Sequence, residues 1–170
     1  MGFLVRKIKV TSWPDGENIL FNSINELNAD VFSDISTKNN ELSWWYIESI
    51  EELPLIAAIL ISTFKNKEKS LKFVCIDINE FNKNNIIYIN TPDNGITVLT
   101  KFKCRHYDAK NLTYFTLGKI SKMIALQTSK GKVEKIKWDK AMDIIKKNVA
   151  ESNIDVSFFG EAVRKELEYI

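Results

Sequence analysis

The segment Leu42-Ser-Trp-Trp-Tyr-Ile-Glu48 narrows what this chain can become more than any other stretch. On an extended backbone Leu42, Trp44 and Tyr46 share one face, while Ser43, Trp45 and Ile47 share the other. A half-exposed strand would not carry large apolar groups on both sides, so the run predicts a central strand in a sheet covered on both faces. Trp45 is the one member that, if exposed, would anchor a partner interface. Ser49 followed by Glu52 matches a capping box, in which the serine oxygen accepts an orphan backbone N–H and the glutamate reaches back to the cap. Helix onset is therefore expected near Ile50, with Leu53, Ile56, Ala57, Leu60 and Phe64 on one face and Pro54 in the first turns, where a missing N–H costs least.

The remaining elements build around this unit. Leu71 to Ile78 is apolar on both faces and reads as a second covered strand, so residues 42 to 78 predict a right-handed crossover joining two parallel strands. Gly2 to Val10 reads as a strand near an edge, because Arg6, Lys7 and Lys9 call for solvent. Leu20, Ile24, Leu27 and Val31 recur at helical spacing and predict a helix from about Glu17. Asn85 to Asn90 and Ile96 to Phe102 flank Thr91-Pro-Asp-Asn-Gly95, which predicts a hairpin. From Thr113 the pattern turns helical: Leu117, Ile120 and Ile124 line one helix, Ala141, Ile144, Ile145 and Val149 a second, and Phe159, Ala162, Val163 and Leu167 a third. A short strand at Lys132 to Ile136 separates the first two, and Asp139 and Ser157 read as caps or first-turn residues. The expected fold is α+β: a mixed sheet of four to six strands with packed helices, followed by a helical C-terminal portion. Residues 1–110 form the sheet portion and 111–170 the helical one, within one compact domain.

At 170 residues with 45% hydrophobic and 27% charged side chains, the chain can bury a core without disulfide or metal staples. Cys75 lies in an apolar run and Cys104 in a basic one, and neither belongs to a CxxC or His-rich cluster, the pattern of thiols in a reducing compartment. No signal peptide, myristoylation site or membrane-length apolar run is present, so a cytoplasmic protein without membrane contact is expected.

Most catalytic signatures are missing. The six glycines stand apart without phosphate-loop or dinucleotide spacing, GxSxG does not occur, and a single histidine, His106, excludes HExxH chemistry. No cofactor is called for. Two constellations remain as candidates for a small hydrolase or nuclease. Cys104, His106 and Asp108 fall on one face if Cys104-Arg-His-Tyr-Asp108 is extended, placing a general base beside an orienting carboxylate or a thiol. Asp77, at a strand end, and Glu80 could hold a magnesium ion. Pro92-Asp93 begins a nuclease-like PD pattern, but no acidic residue stands before the downstream lysine, and the pair reads as a turn.

The formal charge of +2 hides an asymmetry. Residues 101–150 carry 13 Lys and Arg against 4 Asp and Glu, a net of +9, while residues 1–100 carry 9 against 13 and residues 151–170 carry 2 against 5. If Arg105, Lys130, Lys132, Lys135 and Lys137 gather in space, they would meet phosphates, with interleaved aromatics available for stacking. The excess of lysine over arginine favours sequence-independent contact. Met1-Gly-Phe-Leu-Val-Arg-Lys-Ile8, Glu41-Leu-Ser-Trp-Trp-Tyr-Ile47 and Arg105-His-Tyr-Asp108 together resemble a group of short bacterial proteins of unassigned function, a resemblance that implies no catalytic residue. The expected function is a non-enzymatic binding or regulatory protein acting through a protein partner, through self-association as a homo-oligomer, or through nucleic acid. A toxin–antitoxin or phage-defence component fits that size and charge layout.

Overall fold

Strand β1 (Phe3–Lys7) departs furthest from expectation. The computed structural model describes residues 2–14, 27, 29–152 and 154–168. Its other strands are β2 (Leu42–Ile47), β3 (Ser70–Asp77), β4 (Tyr88–Asn90), β5 (His106–Ala109) and β6 (Glu134–Lys137), and together they form one sheet of order β4-β5-β2-β1-β3-β6. β1 is therefore interior, paired on both sides, and not an edge. Its basic groups find partners within the protein: Arg6 donates to the carbonyls of Ser43 and Asp34, each at 2.8 Å, and the partly exposed Lys7 donates to Glu68 at 2.5 Å. Burial lowers the Arg6 pKa, and the Asp34 charge partly restores it.

The α+β class holds, with six strands among the described residues and every neighbouring pair antiparallel. β2 and β3 do run in the same direction, as a crossover requires, but they are not neighbours. β1 inserts between them, with Val5 opposite Trp45 on one side and Cys75 on the other. The physical reason is that Phe3, Leu4 and Val5 offer an apolar strand able to match both flanks, and antiparallel ladders are slightly stronger per residue than parallel ones.

Six α-helices are found among the described residues: α1 (Val31–Asp34), α2 (Leu53–Ile61), α3 (Ile78–Lys83), α4 (Tyr114–Ser129), α5 (Trp138–Ser152) and α6 (Glu161–Glu168). The helix expected from Glu17 falls largely on residues outside those described, with Val31 buried in α1 and Leu27 packed partly against the same core. Helix onset near Ile50 is as expected: a 3-10 turn over Ile50–Glu52 runs into α2. The reciprocal capping box does not form. The Ser49 side chain makes no cap bond, while Glu52 accepts from the backbone N–H of Glu48, one residue before the cap, at 2.7 Å. At α4 the reciprocal box is complete between Thr113 and Thr116. Asp139 stands in the first turn of α5, and Ser157 lies in a 3-10 turn capped by Asp155.

Alternation along the strands sends apolar groups to both faces, and the helices divide accordingly. Leu71, Phe73, Val5 and Trp45 pack with Ile56 and Ala57 of α2 and Trp138, Met142 and Ile145 of α5. Val74, Ile76, Leu4 and Trp44 pack with Phe81 of α3 and Ile120 and Ile124 of α4. Each large aliphatic so buried contributes about 1.5–3 kcal/mol relative to exposure. Both clusters draw on residues before and after 110, so the C-terminal helices cover the sheet on its two sides. Among the described residues no helix is long and apolar enough to cross a membrane.

The expected hairpin is re-paired. Ile96–Phe102 forms no strand; β4 pairs instead with β5, Tyr88 opposite Ala109 and Asn90 opposite Tyr107. The intervening chain makes 3-10 turns at Pro92–Asn94 and Thr100–Arg105. Its apolar alternation is used by burying Leu99 fully and packing Val98 and Phe102 against the core, with no need of a ladder.

Candidate functional site

The edge-side half of the sheet collects the polar side chains. Register places Ser43 opposite Asp108 and Trp45 opposite His106, so all four stand on one face. The 3-10 turn at Pro92–Asn94 folds over that face and brings Thr91 and Asn94 to the carboxylate. Asp108 accepts from Ser43 Oγ at 2.9 Å, from Thr91 Oγ1 at 2.8 Å and from Asn94 Nδ2 at 2.7 Å. Gly95 closes the arrangement. A Cβ there would lie 3.1 Å from the His106 Cβ and 3.3 Å from the Trp45 ring, tighter than side chains normally pack.

His106 is 3% exposed, with its ring edge-to-face against Trp45 at 5.0 Å between centroids. Its Nδ1 stands 3.0 Å from both the carbonyl and the hydroxyl oxygen of Thr91. The Thr91 hydroxyl proton goes to Asp108, so Nδ1–H is the donor and Nε2 carries the lone pair. Nε2 is 3.9 Å from Asp108 Oδ1, beyond hydrogen-bond distance. Burial pushes the His106 pKa down, and the Asp108 charge opposes this only in part, so the ring is neutral at pH 7. For Asp108 burial acts upward, but the Asn94, Thr91 and Ser43 donors outweigh it and hold the carboxyl below its usual range.

This geometry brings together two of the three residues expected to act as a unit. Cys104 lies in the 3-10 turn rather than on the strand; it is exposed, its thiol directed to the Lys101 carbonyl at 3.7 Å. The hydroxyls of Ser43 and Thr91 give their protons to the carboxylate and not to the imidazole, so no nucleophile–base–orienter chain forms. The cluster is a clamp: a buried anion fastens the 91–95 turn to the sheet. Beside it opens a polar cleft of about 280 Å³ lined by Lys38, Asn39, Glu41, Ser43, Asn94 and Asp108. Its far wall is the tight turn at Asn39 and Asn40, with φ of 55° and 58°, bridging Lys38 to Glu41; Lys110 pairs with Glu41 at 2.5 Å.

The carboxylates proposed for magnesium have other work. Asp77 caps α3 by accepting from the Asn79 N–H at 2.8 Å, and Glu80 pairs with Lys83 at 2.6 Å. Among the described residues no three His, Cys, Asp or Glu side chains converge as metal ligands.

The basic residues divide into two groups. Arg105 immediately precedes β5 and is held by Glu52 at 2.8 Å, an interaction that raises its pKa and lowers that of Glu52. Lys135 and Lys137 lie on β6, four inter-strand spacings away, about 19 Å. Lys130, Lys132, Lys135 and Lys137 are exposed, and Lys135 stands directly opposite Lys72 of β3. They form a lysine corner to which Arg105 does not belong. Trp45 is 6% exposed and belongs to the core, so it offers no anchor to a partner.

Two features were not anticipated. Ser43, Thr91 and Asn94 are the Asp108 partners, and Ser and Asn beside turns carry no mark of which carboxylate they will meet. The other is the outer edge of β4, unpaired among the described residues, where Ile87 is 53% and Ile89 50% exposed. The run Ile86-Ile87-Tyr88-Ile89 held a signal, being more apolar than an edge with one solvated face requires. Phe115, 72% exposed, adjoins this region through Lys119, whose Nζ sits 4.7 Å over the Phe115 ring and donates to the Asn84 carbonyl at 2.8 Å. Comparisons with protein families, with curated proteins and with solved structures each return no match.

Proposed function

We propose that this chain is a non-enzymatic binding protein that engages a protein partner along its β4 edge. The observation that carries the reading is the contrast between the two sheet edges. β6 reads Glu-Lys-Ile-Lys, with lysines at the positions that discourage strand addition. β4 and its flanks, Ile86 to Thr91, hold no charged side chain and expose Ile87 and Ile89. Exposed apolar groups on an unguarded edge favour partner strands or apolar surfaces, whose main-chain bonds supply affinity. The clamp at Asp108 suits this role by holding β5, on which β4 rests, rigid.

The test is crosslinking and mass spectrometry in the native host, with wild type and an Ile87→Lys, Ile89→Lys double variant. Both positions are exposed, so folding is preserved, checked by an unchanged thermal midpoint. Loss of the crosslinked partner in the variant supports the reading; equal recovery from both proteins overturns it. A second reading, sequence-independent contact with nucleic acid, is favoured by the exposed lysine corner. It calls for a log–log salt slope of about −0.7 to −0.9 per phosphate contacted. That slope flattens when Lys130, Lys132, Lys135 and Lys137 become Ala, and a flat wild-type slope removes the reading.

A further inference from the structure

We propose that the partner seated on the β4 edge is a second copy of this chain, paired antiparallel about a two-fold axis through Ile89; the inference rests on the β4 edge being the working surface. The backbone bonds of β4 define what the free edge offers. Lys110 N–H donates to the Ile87 carbonyl at 2.8 Å and Thr91 N–H to the His106 carbonyl at 2.9 Å, so residues 87, 89 and 91 take the hydrogen-bonded positions against β5. Bonding alternates along an antiparallel ladder, and the N–H and C=O groups of Tyr88 and Asn90 therefore point away from the sheet.

That pattern is complementary to itself. A two-fold axis at Ile89 sets Tyr88 of one copy opposite Asn90 of the other, twice. Each pair exchanges two N–H to O=C bonds, and all the outward groups of the strand are used. Ile89 then meets its own counterpart in a non-hydrogen-bonded pair, the position where opposing side chains come closest, about 4.5 Å between Cα atoms. A symmetric dimer needs such a self-matching patch, and this one closes after two copies.

Charge selects the occupant. From Ile86 to Thr91 the edge is neutral, so two copies approach without repulsion. The same operation at β6 would place Lys135 of one copy opposite Lys137 of the other, and like charges directly opposed weaken pairing. Pairing of β4 with β6 of another copy would be head-to-tail and build rings or filaments, and the lysines of β6 also guard against that. The fold thus leaves open the one of its two sheet edges whose self-pairing meets no opposed charges. Because the strand is three residues long, the interface is small, and a dissociation constant of about 10 µM to 1 mM is expected.

Sedimentation equilibrium from about 5 µM to 1 mM tests the inference. For wild type the weight-average mass should rise from that of the 19.6 kDa chain toward twice that value. In Ile89→Lys two ammonium groups face each other at the axis, and dimerisation should weaken at least tenfold; Ile89→Val should retain it; Lys135→Ala with Lys137→Ala, on the far edge, should leave it unchanged. Amide exchange at Tyr88 and Asn90 should slow with concentration in wild type only. A wild-type mass that stays monomeric to 1 mM overturns the inference, as does a lysine variant that dimerises equally. If the chain is monomeric while the crosslinked host partner still depends on Ile87 and Ile89, the self-pairing fails and the protein-binding reading stands. Independence of both measurements from β4 removes the two together.

Discussion

Replacing Asp108 with Ala takes the anion out of the clamp. The carboxylate accepts three side-chain bonds at 2.7–2.9 Å, and bonds to a charged group contribute about 1.5–3 kcal/mol each, a gross value near 6 kcal/mol. Two effects reduce it. Ser43 and Asn94 are exposed enough to regain water when the acceptor goes, and removing a side chain that is 2% exposed relieves its desolvation. The Thr91 hydroxyl and the His106 imidazole, half-buried and buried respectively, stay behind without the charge that orders them. A net loss of about 2–4 kcal/mol follows, or roughly 6–12 °C in thermal midpoint for a chain of this size. Urea unfolding with unchanged m-value measures it, and faster amide exchange confined to residues 91–95 locates it. The pH dependence carries the sign. The Asp108 pKa is depressed in the fold, so its contribution is complete above the unfolded value of about 3.9 and disappears as pH falls through the folded one. The gap between wild type and variant should therefore close in strong acid. His106 acts in a higher window: its folded pKa also lies below the unfolded value, so the unfolded chain binds the proton first and stability falls as pH drops below about 6.5 in both proteins. A cost under about 0.5 kcal/mol at pH 7, or a gap that fails to close in strong acid, would refute the clamp.

Three further outcomes are expected. Burial pushes the Cys75 thiol up to about 12 while Cys104 is exposed, so at pH 8 one thiol should react quickly with a disulfide reagent in the native protein and two after denaturation. Gly131 has φ of +65° with open space around it, so Gly131→Asn should cost a few tenths of a kcal/mol and Gly131→Val more than 1 kcal/mol; Gly160→Ala, whose Cβ would lie 2.3 Å from the Phe64 carbonyl oxygen, should cost several times more than the Asn change, by thermal melting. Trp44 is fully buried and edge-on to Phe81 at 5.1 Å, and Trp44→Ala should cost about 3–5 kcal/mol in chemical denaturation, enough to leave a marginal fold.

Local periodicity determined much of this protein. Large groups on both faces of Leu42–Ile47 and Ser70–Asp77 demanded two-sided cover, and both strands are interior with helices above and below. Thr113, the 117, 120 and 124 spacing, and the amphipathic pattern of residues 141–149 set α4 and α5, because helix period and caps are properties of neighbouring residues. Pairing order is another matter. Whether Phe3–Lys7 lies at an edge or between two strands depends on segments about 40 and 70 residues away, and the Arg6 and Lys7 side chains suggest solvent until Ser43, Asp34 and Glu68 arrive to meet them. The same holds for the site. Two-residue spacing put His106 and Asp108 on one face, but only tertiary structure moved Cys104 off the strand, brought Thr91, Asn94 and Ser43 to the carboxylate, separated Arg105 from the lysine corner and left the outer side of β4 without a neighbour among the described residues. A strand's hydrogen-bonding edges look alike in sequence, and which one stays free is settled when the sheet closes.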